Sequence, residues 1–272
     1  MDKRVQDRIE EKLQNGFQLK AGQVVEKAGD IFKGIAGYAI LAVLIYFITL
    51  WILNMLVGLV FPISMDEEEI QAITSSGDPE AVMEMYQEIF SSTSAMVSIF
   101  LTNILSAVLY PILYSIYTMA YKYDYKKNPE LSDIFIHYKD GKFLNLFLVT
   151  LVVQIVGSIG LTLCLVPGFI VYTMWMLAVP LIIFASADVK EALNYSMKLA
   201  FKNFGSFFVV LLLGIAIIIL GFILCCVGLI PAIPFVYVMM YILYREVVGF
   251  DDQQSEIEQI GTDIYKDNPY MK

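Results

Sequence analysis

The sequence lacks ionisable side chains where it is most apolar. Six long apolar runs divide its 272 residues, and no Asp, Glu, Lys, Arg or His lies within the core of any of them. Proton-coupled carriers and pathways for charged ions usually place such side chains at membrane depth. Their absence counts against both classes.

Histidine and clustered metal ligands are also scarce. His137 is the single histidine, and no HExxH spacing is present, so the partners that acid–base chemistry and metal binding require are missing. The acidic run from Asp66 to Glu69 lacks the spacing and glycine of a calcium loop, which favours a solvated loop over a calcium site. We therefore expect no enzyme activity, no metal and no cofactor.

Only three cysteines occur, each shortly before an uncharged turn. An oxidising compartment could pair Cys164 with Cys225 or Cys226. We favour packing by small apolar residues, because free cysteine is commonly buried.

Composition and charge placement then fix the class. With 58% hydrophobic and 17% charged residues, the chain is too apolar for a soluble protein of this length. Of its 18 Lys and Arg residues, seven precede the first apolar run, none lies in 63–95, and five fall between Lys122 and Lys142. Three more lie in 190–202 and three in 245–272. This is the positive-inside pattern of a membrane protein with both termini in the cytoplasm.

We predict an all-α polytopic membrane protein whose six transmembrane helices form three helical hairpins. The predicted spans are 35–61, 96–121, 143–166, 169–187, 207–229 and 231–249. A cytoplasmic amphipathic region covers 1–34, an outer loop covers 63–95 and an acidic cytoplasmic tail covers 250–272. A re-entrant last segment is the alternative, but spanning keeps Arg245 at the cytoplasmic boundary.

Turn residues mark the outward-facing connections. Tight turns are predicted at Val166-Pro167-Gly168 and at Leu229-Ile230-Pro231, where proline suits the start of the following helix. In the outer loop, Asp78 is predicted to cap a short amphipathic helix that begins at Pro79.

An internal repeat occurs where the basic segments enter the membrane. Each copy places an aromatic residue and a lysine ahead of a glycine, after a helical apolar pattern. We interpret the unit as an interfacial amphipathic helix, an anchor at headgroup level and a hairpin. The predicted anchors are Phe32, Lys33, Tyr138, Lys139, Phe201 and Lys202.

Polar side chains inside the predicted spans are few and neutral. Hydrogen bonding between helices is the favoured interpretation, and a substrate path is the alternative. The candidate intramembrane positions are Asn54, Asn103, Asn145 and Gln154.

The central part of the chain resembles a known family. The segments 166–170, Val179-Pro180, 191–199 and Lys202-Asn203-Phe204 look like the signature of uncharacterised bacterial six-span membrane proteins. Those are related to the membrane domain attached to some glycerophosphoryl diester phosphodiesterases. The resemblance implies a bacterial cytoplasmic (inner) membrane protein and carries over no catalytic residues. We expect the phosphodiesterase domain itself to be absent.

Two functions follow from these observations. The first is a non-catalytic envelope, lipid-interacting or scaffold protein, whose partners are membrane lipids and other membrane proteins or further copies of itself. The second is a small permease for a neutral or lipid-like solute. An intramembrane enzyme is least supported, and a net charge of -9 makes nucleic acid an unexpected partner.

Overall fold

The regular structure is helical throughout the described residues. The computed structural model describes residues 1–62, 67–163, 165–224 and 227–250. A 3₁₀ helix, Leu131–Tyr138, lies between α5 and α6. The α-helices are α1 (Lys3–Asn15), α2 (Ala21–Val60), α3 (Glu67–Ser76), α4 (Pro79–Ser91), α5 (Thr93–Asp124), α6 (Phe143–Leu163), α7 (Leu165–Met174), α8 (Ala178–Ala185), α9 (Val189–Lys202), α10 (Phe204–Ile223) and α11 (Leu229–Val247).

Six helical segments of the described chain are long and apolar enough to cross a membrane, namely α2, α5, α6, α7 with α8, α10 and α11. About 20 residues at 1.5 Å each match a hydrocarbon core of about 30 Å. This confirms the prediction of an all-helical membrane protein with six segments of spanning length. Cys164, Cys225, Cys226, Asp66 and the tail 251–272 lie outside the described residues.

The first spanning helix begins earlier than predicted. We expected a boundary near Gly34, but α2 runs unbroken from Ala21 to Val60. The reason is that the predicted interfacial pattern and the span share one buried stripe, formed by Val24, Ala28, Ile31, Ile35 and Ala39. Gly34 has a packing role, because a Cβ there would lie 2.0 Å from the Tyr123 ring.

Both predicted proline turns begin helices instead. Pro167 is the third residue of α7 and Pro231 the third residue of α11. The first turn of a helix has no intrahelical acceptors for its N–H groups, so proline is tolerated there. Helix α7 therefore begins at Leu165 and α11 at Leu229, both earlier than predicted.

The fourth segment of spanning length is broken. It ends as α7 at Met174 and resumes as α8 at Ala178. Pro180 cannot donate a backbone hydrogen bond, which favours a break one turn earlier. By contrast, Pro111 lies inside the continuous α5.

Side-chain caps fix the starts of several elements, and the cap at Asp78 was predicted from the sequence. The Asp78 carboxylate accepts from the Glu80 N–H at 3.0 Å at the start of α4. Before α9, Asp188 accepts from the Glu191 N–H at 2.8 Å and Glu191 accepts in return at 3.1 Å. The 3₁₀ helix has a similar reciprocal cap, between Glu130 and Asp133.

Basic side chains from several helices form ion pairs at one end of the helix bundle, which we call the basic end: Lys27 pairs with Glu246, Lys122 with Asp133 and Arg245 with Asp124. There α1 packs on α9, and the Asp2 N–H donates to the Ala185 carbonyl at 2.9 Å. Within the bundle, α2 packs chiefly against α5 and α11, and α6 packs against α7. The resulting apolar core includes α5, α8 and α11 residues such as Ile116, Leu181 and Ile242.

Candidate functional site

Two of the four polar candidates join neighbouring helices. The Thr102 hydroxyl donates to the Asn54 side-chain oxygen at 2.7 Å, which ties α5 to α2. The Gln154 amide nitrogen donates to the Ser106 hydroxyl at 3.3 Å, which ties α6 to α5. Both contacts agree with the interpretation of these residues as hydrogen-bonding partners between helices.

The other two candidates make no such link. Asn103 donates at 2.8 Å to the Ile99 carbonyl of its own helix. Asn145 is half-exposed in the first turn of α6. The structure therefore does not bring the four amides together as one polar path.

A cavity of about 380 Å³ lies between α5 and α6, and we call it the α5–α6 cavity. Asn103, Gln154 and Ser158 supply its polar groups. The remaining wall is apolar and includes Phe100 and Ile155, which are 65% and 55% exposed on the bundle surface. The cavity therefore joins a few polar groups to an open apolar face.

A second cavity, of about 320 Å³, is lined by five tyrosines, and we call it the tyrosine cavity. Helices α5, α6, α7, α10 and α11 all contribute to its wall, together with Trp175 from the break between α7 and α8. No lining side chain is an acid, a base or a histidine. Its tyrosines are Tyr110, Tyr114, Tyr117, Tyr172 and Tyr237.

The tyrosine rings contact one another. Tyr114 lies 5.6 Å from Tyr110 and 6.2 Å from Tyr237, measured between ring centroids, and Tyr117 lies 5.6 Å from Tyr237. These distances fall in the favourable range for aromatic pairs. The Tyr114 hydroxyl also shares a 2.8 Å hydrogen bond with that of Thr150 on α6. The cluster thus combines an apolar wall with hydroxyl groups.

Gln154 lines both cavities. Its Nε2 atom is engaged with Ser106, but its buried Oε1 atom has no hydrogen-bond partner. An unsatisfied buried acceptor costs about 1–3 kcal/mol. Such a group in a native protein calls for an explanation.

Sequence reasoning missed the tyrosine cavity. Aromatic residues at helical spacing, such as Tyr110, Tyr114 and Tyr117 on α5, are indistinguishable from ordinary packing residues until their neighbours are known. Tyr237 and Tyr172 come from distant parts of the chain. The only sequence signal was the unusual number of tyrosines on one face of α5.

The six predicted anchors lie in three different environments. Phe32 packs within the bundle against Phe235, with ring centroids 5.5 Å apart. Tyr138 is partly exposed and donates to the Val108 carbonyl at 2.8 Å, while Phe201 is 58% exposed. The lysines Lys33, Lys139 and Lys202 are all exposed.

The glycines of the repeat also differ. Gly34 accommodates the Tyr123 ring, Gly141 adopts a φ of +76°, and a Cβ at Gly205 would meet nothing within 4 Å. The three copies therefore share residue types without sharing contacts.

A set of ion pairs at the basic end was not anticipated. Asp124 at the end of α5 accepts from Arg245 and from the Tyr241 hydroxyl, both at 2.6 Å. Glu246 binds Lys27 of α2 at 2.9 Å. These contacts tie α2, α5 and α11 together, and they place Arg245 against a carboxylate.

His137 has a carboxylate and a hydroxyl as partners. Its Nδ1 atom lies 2.7 Å from the Asp140 carboxylate and its Nε2 atom 3.3 Å from the Thr118 hydroxyl. Burial lowers the pKa of His137, while the Asp140 carboxylate opposes that shift. A carboxylate, an imidazole and a hydroxyl in this order occur in nucleophilic sites. Here the ring is 1% exposed and lines neither cavity, so the contacts serve to hold the 3₁₀ helix to α5.

No set of three or more His, Cys, Asp or Glu residues is grouped as a metal site would require within 1–62, 67–163, 165–224 and 227–250. No protein-family model, curated protein or solved structure matches the chain.

Proposed function

We propose that the chain is a non-catalytic, lipid-interacting protein of the bacterial cytoplasmic membrane. In this proposal the six segments of spanning length form three hairpins, and both termini face the cytoplasm. The basic end then lies at the inner leaflet, where α1, α9 and the 3₁₀ helix act as interfacial elements. The family resemblance described above agrees with this location and remains part of the proposal.

The observation that carries the proposal is an exposed apolar patch beside lysines at the basic end. Leu131, Phe135 and Tyr138 of the 3₁₀ helix are 58%, 43% and 36% exposed, and we call them the aromatic patch. Asp133 and Ile134 of the same helix are buried against the bundle. The helix thus holds its polar contacts inward and presents apolar side chains outward, as expected beside lipid.

Nearby charge suits an anionic lipid surface. Three carboxylates of this region are engaged, since Asp133 binds Lys122, Asp124 binds Arg245 and Asp140 binds His137. Lys126, Lys127 and Lys139 are exposed. Basic residues beside a membrane surface each attract anionic headgroups by about 1 kcal/mol.

Lipid contact can be measured by fluorescence quenching. A Phe135→Trp variant in a Trp51→Phe, Trp175→Phe background is reconstituted into vesicles that contain lipids brominated near the headgroup or near the chain end. We expect headgroup-level bromine to quench Trp at position 135 several-fold more than deep bromine. The matched control is Phe184→Trp, because Phe184 packs among Tyr121, Tyr241, Tyr244 and Phe250.

Two results would contradict the proposal. One is equal quenching at positions 135 and 184. The other is stronger quenching of position 135 by aqueous iodide than by either lipid. The preference for anionic brominated lipid should be lost in the double variant Lys126→Gln, Lys139→Gln. If the preference persists, the proposed attraction between these lysines and anionic headgroups is wrong.

A permease for a neutral or lipid-like solute is the second candidate. It is favoured by the position of Asn103 and Gln154 on one cavity wall. Uptake of uncharged solutes into vesicles, compared with and without the protein, tests it directly. Binding without uptake would leave the lipid-interacting proposal in place.

A further inference from the structure

We propose that the tyrosine cavity binds a neutral amphipathic molecule, an alkyl chain ending in a hydroxyl group, whose hydroxyl donates to the Oε1 atom of Gln154. The inference rests on the proposed function only in placing the bundle in lipid. It concerns a different surface from the aromatic patch, so the two can fail separately.

The size of the cavity suits a small ligand. Its volume of about 320 Å³ falls at the lower end of the usual range for ligand pockets, about 300–1,000 Å³. Such pockets are mostly apolar, with a few polar groups that fix orientation. Here Val153, Met176 and Val179 supply apolar wall, and Thr150 and Gln154 supply polar groups.

The absence of charge in the wall selects a neutral ligand. A carboxylate or ammonium group in this cavity would lose its hydration without gaining a charged partner, which costs several kcal/mol. Fatty acids and amines are therefore disfavoured relative to alcohols of the same length.

The unpaired acceptor selects a hydrogen-bond donor over a hydrocarbon. Gln154 Oε1 is buried and unbonded in the described structure, while Nε2 is already engaged with Ser106. An alcohol would satisfy that oxygen, and an alkane would leave it unpaired. The hydroxyls of Tyr114 and Thr150, which already share a hydrogen bond, lie in the same wall.

The neighbouring cavity supplies a path for the alkyl chain. Gln154 lines both the tyrosine cavity and the α5–α6 cavity, and the wall of the α5–α6 cavity includes Met96 and Phe100 on the exposed face. A ligand held at Gln154 can therefore extend its chain toward the surrounding lipid through apolar surroundings.

Trp175 makes the binding measurable, because it lines the tyrosine cavity and the only other tryptophan is Trp51. In a Trp51→Phe background, the full chain in vesicles is titrated with 1-decanol, decane and decanoate, each expressed as its mole fraction in lipid. We expect a saturable change of Trp175 emission with 1-decanol at a lower mole fraction than with decane or decanoate.

The variants test the assigned contacts. Gln154→Leu is expected to raise the half-saturating mole fraction of 1-decanol about fivefold, because the lost hydrogen bond is worth about 1 kcal/mol. The half-saturating mole fraction of decane, which makes no such bond, should stay the same or decrease. Val153→Phe fills the tyrosine cavity and should abolish saturation. Its matched control, Val152→Phe, alters the adjacent position of α6, which lines neither cavity, and should bind normally.

Contrary results are equally definite. Equal half-saturation for decanol and decane, or a decanol response unaffected by Gln154→Leu and by Val153→Phe, would overturn the inference. If Gln154→Leu fails to fold, the comparison of Val153→Phe with Val152→Phe decides. If the Trp51→Phe protein shows no saturable decanol binding while lipid quenching at position 135 is as expected, this inference is refuted and the proposed function is not.

Discussion

At the scale of single residues, His137 shows how neighbours change the meaning of a side chain. The sequence offers one histidine without a nearby motif, yet the folded ring contacts Asp140 and Thr118 at its two nitrogens. An ionised carboxylate only accepts, so the neutral ring carries its proton on Nδ1 and accepts from Thr118 at Nε2. The charged groups facing it are Asp140 and Lys142, which shift its pKa in opposite directions.

This arrangement predicts a pH dependence of stability. Because burial lowers the folded pKa of His137 below the ordinary value of 6.5, protonation favours the unfolded state. The histidine contribution is therefore complete above pH 6.5 and is lost as the pH falls through the folded pKa. We expect the Tm of the purified protein to decrease from pH 7 to pH 5, and His137→Asn to flatten that decrease.

The control is simple because the chain has one histidine. A slope between pH 7 and pH 5 that is the same in His137→Asn and in the parent protein would assign the titration to other groups.

The contacts of Asn54 and Gln154 with neighbouring helices agree with their interpretation as polar groups that join helices, which stays a prediction. Their partners, Thr102 and Ser106, could be named as polar span residues but not paired, because pairing depends on helix rotation. The unsatisfied Gln154 oxygen could not be predicted at all, since satisfaction is a property of the packed structure.

At the scale of elements, the break between α7 and α8 is stabilised from outside. Ser196 of α9 donates its hydroxyl to the Met174 carbonyl at 2.7 Å and accepts from the Leu177 N–H at 3.1 Å. One fully buried side chain thus satisfies a carbonyl at the end of α7 and an N–H before α8. The packing of α9 and the broken segment therefore depend on each other.

Removing that hydroxyl tests the dependence. Ser196→Ala should lower the free energy of unfolding by about 1–3 kcal/mol, because two buried backbone groups lose their partner. The matched control is Ser158→Ala, whose exposed hydroxyl bonds only the Ile155 carbonyl of its own helix. Denaturant unfolding in detergent measures both. Equal stabilities of the two variants would show that the break needs no support from α9.

Helix starts that carry a side-chain cap were more predictable than uncapped starts and breaks. Asp78 with Pro79, and Asp188 with Glu191, mark helix starts through local capping chemistry that the sequence displays directly. The continuity of α2 through Gly34 was missed, because glycine there accommodates a ring from α5. Such a contact is non-local, so no local pattern reports it.

At the scale of the whole molecule, the basic end is a connected assembly. Arg245 joins α11 to α5 through Asp124, Glu246 joins α11 to α2 through Lys27, and Lys122 joins α5 to the 3₁₀ helix through Asp133. Partly exposed ion pairs add little stability singly. Their placement instead keeps charged groups of several helices at the basic end and out of the apolar segments of spanning length.

The class of the molecule was predictable because it depends on composition and on where charged residues occur along the chain. Both can be read directly from the sequence. The cavities were not, because they arise where α5, α6, α7 and α11 meet. Gly221 illustrates the difference: a Cβ there would lie 2.8 Å from the Gly228 carbonyl, so α10 and the start of α11 approach at backbone distance. The glycine is visible in the sequence, but only the fold shows which residue lies against it.

The proposed orientation is tested most directly by labelling with an impermeant thiol reagent. In a background with Cys164, Cys225 and Cys226 replaced by serine, single cysteines are introduced as Lys190→Cys and Ser75→Cys, both at exposed positions. On intact spheroplasts the reagent should label the Ser75 variant and spare the Lys190 variant, which should react only after lysis. Labelling of the Lys190 variant before lysis, with the Ser75 variant protected, would contradict the account.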